Sequence, residues 1–246
     1  MFAVLAAFPT VSISLSFLTF QSPRDFERIV RCFGSGVQTL ALQRICILRG
    51  APHQTSPLPI VRPQITRLKL ISCAAAVSEK LGASSCPLDL QNLVDVTFTS
   101  PMSPAFIELL KSSQSTITSH SDLAFPLPAL THLSFDAVWM LALAVVVQSL
   151  SHSPGLPSLR EISLTVTDLD APLLPQHADW HLRNFDRAVN ALQLPALQRV
   201  LFSLVDTTGR ALKDEFLNPS GASKQELVEG CLPMLHARGV LVVKSC

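Results

Sequence analysis

The sequence predicts an α/β chain wound as an open solenoid, with a parallel β-sheet on its concave face and helices on its convex face. Three observations predict it: an apolar pattern that recurs along the chain, a change of apolar period from 2 to about 3.6 between its copies, and helix-start signals ahead of that second period. On this reading residues 1–246 form a single domain of about seven to eight irregular repeats.

The recurring pattern is L-x-x-L-x-L. It is carried by Phe8/Val11/Ile13, Val37/Leu40/Leu42, Ile65/Leu68/Leu70, Leu93/Val96/Phe98, Leu130/Leu133/Phe135, Leu159/Ile162/Leu164 and Leu197/Val200/Phe202, with a degenerate last copy at Ala237/Val240/Val242. Successive copies begin 29, 28, 28, 37, 29, 38 and 40 residues apart, so units of two sizes alternate irregularly. Leu40, Leu68, Leu133, Ile162 and Val200 are expected to be buried. Three later copies share the approaches Leu127-Pro128-Ala129-Leu130, Leu156-Pro157-Ser158-Leu159 and Leu194-Pro195-Ala196-Leu197, where proline is expected to set an extended lead into the strand.

Between the copies the apolar residues take a helical period. Ser22-Pro23 supplies an N-cap and a first-turn proline for residues 22–33, which would bury Phe26, Ile29, Val30 and Phe33. Ser103-Pro104 opens another helix with Phe106, Leu109 and Leu110. In residues 181–193 the stripe is Leu182, Phe185, Val189 and Leu192, with Arg183, Asp186, Arg187 and Asn190 expected to face water. Ser223 and Glu226 form a capping box ahead of Leu227, Val228 and Cys231. Ala137 to Val147 reads as a buried helix too short to cross a bilayer. The stretches 112–126, 168–178 and 207–222, rich in Ser, Pro, Thr and Gly, read as surface excursions. A strand and helix of this kind bury one face each, so neighbours must stack to share a core.

Composition narrows the function classes. With 48% apolar and 15% charged residues the chain is a folding sequence with a sparsely charged surface, against about 25% charged in an average soluble domain. A net charge of +1 without a basic run or acidic tail argues against nucleic acid or an anionic membrane as partner. The six cysteines lack paired spacing and read as reduced thiols, which together with the proline-blocked Asn218-Pro219-Ser220 suggests a cytoplasmic or nuclear protein. Residues 1–20 carry no charge and admit a second reading as a targeting segment. Their alternation of Val11, Ile13, Leu15 and Phe17 with Ser12, Ser14 and Ser16, and the lack of a basic n-region, favour a strand.

The third copy, Ile65-x-x-Leu68-x-Leu70-x-x-Cys73, resembles the leucine-rich repeat consensus in full, making the expected fold a leucine-rich-repeat-like solenoid. The other copies lack the closing Asn or Cys. The uneven unit lengths, the Leu-Pro-x-Leu approaches and the closing Leu232-Pro233-Met234-Leu235 through Val243 look like the repeat region of fungal F-box-type leucine-rich proteins. The resemblance implies a substrate-recognition role for a ubiquitin ligase. It implies no ligase docking by this chain, because no F-box-like segment precedes Phe8; the expectation is a truncated member or a fragment. The alternative is a generic α/β domain whose strands match a permissive pattern.

No catalytic residue, cofactor or metal site is expected. Gly34-Ser35-Gly36 opens no phosphate-binding loop and reads as a turn, and no G-x-S-x-G, H-E-x-x-H or C-x-x-C occurs. His177 and His181, four apart, would share a helical face with Asp179 nearby, but Pro175 and Asp179 suggest a helix start that splits the pair. Cys32, Cys46 and Cys73 are each conceivable nucleophiles, but Cys32 lies on the apolar side of a helix and Cys73 at the consensus position, so buried structural cysteine is the expected reading. The expected function is therefore non-catalytic binding of a protein partner. The candidate surface is the concave face, with Thr39, Gln43, Arg67, Lys69, Asp95, Thr97, His132, Ser134, Asp136, Glu161, Ser163, Arg199 and Ser203 between the buried positions, running from basic to acidic. Other classes weighed are a hydrolase-like enzyme with a dispersed site and a secreted repeat adhesion protein.

Overall fold

The computed structural model describes residues 11–48, 62–73, 75–82, 86, 88–99, 129–139, 143, 156–167, 174–192, 194–205 and 223–244. The fold is mixed α/β, with mostly parallel strands and few helices. It comprises two compact units, the first reaching Phe98 and including Leu130, the second including Thr99 and beginning again at Thr131.

In the first unit the elements are β1 (Ser12–Ser16), β2 (Thr19–Phe20), α1 (Pro23–Val30), β3 (Thr39–Gln43), β4 (Cys46–Ile47), β5 (Arg67–Ile71), α2 (Ala75–Gly82) and β6 (Asp95–Thr99). The main strands lie in the order β1-β3-β5-β6, while β2 and β4 form a small parallel ladder. Parallel register places Ile13, Leu40 and Leu68 in one row, and Leu15, Leu42 and Leu70 in the next. Leu40, Leu42, Leu68 and Leu70 are buried, and Phe26, Val30, Val77 and Leu81 from the helices are buried with them. Helix α1 starts as its sequence dictates: Ser22 caps the Asp25 amide, and Pro23 fills the first turn. Its Glu27 carboxylate meets Lys80 of α2 at 3.2 Å.

The second unit holds β7 (His132–Trp139), β8 (Glu161–Thr167), α3 (Leu174–Ala191), β9 (Arg199–Leu204), α4 (Lys224–Cys231), α5 (Pro233–Ala237) and β10 (Leu241–Val243). Strands β7 to β10 are parallel and in chain order. The inner rows are Leu133, Ile162, Val200 and Leu241, then Phe135, Leu164, Phe202 and Val243. Leu182, Phe185 and Val189 of α3 are buried with them. The Ser223/Glu226 capping box forms, and the Ser223 amide and hydroxyl hold the Glu226 carboxyl below its ordinary pKa.

Five of the described strands start by the same device. Both amides opening β3 donate to the Val11 carbonyl, both opening β5 to Gln38, and both at the start of β6 to Thr66. In the second unit the same pair opens β8 on Thr131 and β9 on Arg160. One carbonyl accepting two amides pins the register before the first inward side chain. The approach is a tight turn rather than an extended lead: Leu159 donates to Leu156 and Leu197 to Leu194, with Pro157 and Pro195 at the second turn position. Gly34 to Val37 and Leu90 to Leu93 close the same turn without proline.

Strand ends in the first unit repeat as well. Phe17, Arg44 and Ser72, each directly after its strand, adopt φ of 59°, 50° and 49°. The Phe17 amide donates to Gln43 and the Arg44 amide to Ile71, so the left-handed corners are tied to the neighbouring strand. This conformation disfavours a Cβ branch most. Ser72 is exposed, so Ser72→Val is expected to be less stable than Ser72→Gly by about 1 to 3 kcal/mol in urea unfolding. Equal stability of the two variants would argue against the corner.

Several expectations need correction. Ile13, not Val11, pairs with Leu40, so the first copy sits two residues later than the pattern suggested. The last copy is one residue late, with Leu241 opposite Val200, which turns Val242 outward at 40% exposure. Residues 137–139, read as the start of a helix, continue β7 past a bulge after Phe135, whereas Leu143 is helical and buried. Residues 174–178 belong to α3 rather than to an excursion. The expected helix at 103–110 and the stretches 112–126 and 207–222 lie outside the described residues. Asp186, expected in water, is 1% exposed and accepts from the Met234 and Leu235 amides at 2.9 and 2.8 Å, capping α5 from α3.

Candidate functional site

Alternation along each strand sends the residues between the apolar anchors to the opposite side of the sheet. In the first unit this side carries Thr39 opposite Arg67, Ala41 opposite Lys69, and Gln43 opposite Ile71. Gln43 accepts from the Ser16 hydroxyl at 3.4 Å. Arg67 and Lys69 are exposed and form no ion pair among the described residues. Asp95 and Thr97 on β6 are partly buried.

In the second unit His132, Glu161 and Arg199 share one row and Ser134, Ser163 and Leu201 the next. Asp136, at the bulge, is partly buried. Two expectations change here. Ser203 lies opposite Thr165 on this side but is only 6% exposed, so it offers no open surface. Glu161 does not form an acidic end: Arg199 donates to its Oε2 through Nε at 3.0 Å and Nη2 at 2.6 Å. The Arg199 side chain is over half exposed, so solvent screens the pair and holds its worth to about 1 kcal/mol or less.

These rows open into a groove of about 490 Å³ lined by Thr131, His132, Arg160, Glu161, Gln198 and Arg199. Each strand contributes its first residue and the one before it. Thr131 Oγ1 lies 2.8 Å from His132 Nδ1. Arg160 is exposed and makes no ion pair among the described residues. Thr131, Arg160 and Gln198 were absent from the sequence-based surface. Their signal was the shared offset, one residue after the anchors Leu130, Leu159 and Leu197.

Helix α3 begins at Leu174, so His177 and His181 are both helical rather than split by a helix start. No group of three or more potential metal ligands occurs among the described residues. Cys32 lies in the turn after α1, not on a helical face, and is partly exposed, donating to the Arg28 carbonyl. Cys73 is buried and donates to the Leu42 carbonyl at 3.2 Å, and burial raises its pKa. Burial pushes Cys86 up to about 11. A raised pKa and burial both suppress thiolate attack. A thiol reagent is therefore expected to modify Cys32 and Cys46 well before Cys73, Cys86 and Cys231 in the native protein, read by peptide mass; simultaneous labelling would refute the burial order. Among the described residues no helix is long and apolar enough to cross a membrane. The chain matches no known protein family, no curated protein and no solved structure.

Proposed function

We propose that this chain is a non-catalytic scaffold for protein recognition, a leucine-rich-repeat-like solenoid whose polar strand side meets the partner. The observation that carries the reading is the repeated strand start. Identical opening bonds bring the variable residues of successive strands into straight rows. Rows on a sheet form a rigid, side-chain-encoded surface, and a rigid surface loses little conformational entropy on binding. Exposed Arg67 and Lys69 in the first unit and the polar groove in the second are the parts of that surface most open to a partner. A cytoplasmic or nuclear setting accompanies the reading, supported by cysteines that lack the paired spacing of a disulfide framework. The most concrete form of the role is substrate recognition for an F-box-type ubiquitin ligase, which rests on the repeat resemblance alone.

The test uses the full chain. Partners captured by wild type are identified and quantified, then compared with Arg67→Glu/Lys69→Glu and with Arg24→Glu/Arg28→Glu on helix α1. The first pair is expected to lose at least ten times more partner than the second, with both still folded by circular dichroism. Equal capture by both would refute the strand-side surface.

A further inference from the structure

We propose that the groove across β7, β8 and β9 binds a carboxylate of an acidic protein segment, through Arg160 and Arg199. This deepens the recognition reading above and rests on it. The backbone amides at the starts of β8 and β9 are already taken by the Thr131 and Arg160 carbonyls, so a ligand must be held by side chains. Those side chains are rich in donors: the Arg160 guanidinium, the remaining N–H groups of Arg199 and the Gln198 amide. Glu161 engages Arg199 through a single oxygen, which orients that guanidinium without covering it. Two arginines against one glutamate leave the groove one positive charge in excess, on Arg160.

The same arithmetic selects the ligand. Guanidinium and carboxylate match in shape and charge. The Glu161 carboxylate in the same row repels a phosphate chain charged at every unit more than a peptide whose carboxylates alternate with neutral residues. None of the six lining residues has an apolar side chain, so the groove suits a polar group better than the body of a small organic molecule. Its spread over three strands, about 10 Å at the usual strand spacing, fits two or three residues of extended peptide.

The probe is a fluorescent octapeptide of alternating Asp and Gly, titrated against the full chain by anisotropy at low and physiological salt. The all-Asn counterpart and a ten-residue thymidine oligonucleotide are run alongside. The Asp peptide is expected to bind at least tenfold tighter than the Asn peptide and to weaken with salt. Arg160→Gln and Arg160→Glu should each weaken it at least fivefold, Arg160→Lys less, and Arg187→Glu on helix α3 not at all. The proposal is overturned by equal binding of the two peptides, by preference for the oligonucleotide, or by insensitivity to Arg160. If partner capture is lost on reversal of Arg67 and Lys69 yet survives Arg160→Glu, the recognition surface stands and the carboxylate site does not. If capture ignores both sets while the Asp peptide still binds through Arg160, the site stands and the broader surface does not.

Discussion

Phe202→Ala is expected to remove about 3 to 5 kcal/mol of stability, measured by urea unfolding. Phe202 is fully buried between Leu164 on β8 and Val243 on β10. Truncation strands those two neighbours beside a cavity that a parallel sheet cannot collapse into without breaking register. Against a typical total of about 5 to 15 kcal/mol, that is a large share of what keeps a domain folded. Ile162→Ala should cost about 2 to 4 kcal/mol for the same reason, since Ile162 is fully buried between Leu133 and Val200. Hydrogen exchange should quicken most on β8 and β9. A Phe202→Ala protein as stable as wild type would show that the inner row is not packed as described.

Asp186→Ala is expected to cost about 2 to 4 kcal/mol, close to a core truncation although only a small polar side chain is lost. Its carboxylate is the acceptor for two backbone amides at the start of α5, and both would be left without it, the Leu235 amide in a buried setting and the Met234 amide in a part-buried one. Asp186→Asn retains one acceptor oxygen and should cost about half as much. The discriminating measurement is amide exchange at Met234 and Leu235. Their protection should fall in both variants, further in the alanine one; unchanged protection would mean that α5 is capped by something else.

The two kinds of interaction differ in how readable they were. Leu40, Leu68, Leu133, Ile162 and Val200 are buried as the apolar alternation required, because the period of a strand is a local property. The end copies slipped because the pattern accepts any apolar residue, and at Val11 and Val242 an apolar side chain faces outward. Only pairing with the next strand distinguishes these registers. Asp186 looked solvated because its partners stand 48 and 49 residues later and are backbone amides, which leave no trace in side-chain pattern. Arg160 and Gln198 were missed for a related reason: a polar residue beside an anchor looks like ordinary surface until three strands align it with others. The thiol of Cys73 was readable as a structural one, but its hydrogen bond to Leu42 depends on the neighbouring strand.

The paired opening bonds also bear on how such a chain changes over time. Strands β8 and β9 begin with the same two bonds, although 29 residues separate Leu130 from Leu159 and 38 separate Leu159 from Leu197. Alignment is thus decided at the strand start and is indifferent to the length of chain that leads to it. Lengthening a crossover adds closure entropy only slowly, about 0.6 kcal/mol per doubling. A segment can accordingly be gained or lost between two strands while every row of side chains keeps its place. Changes in the crossovers and changes in the rows would then act on separate parts of the fold.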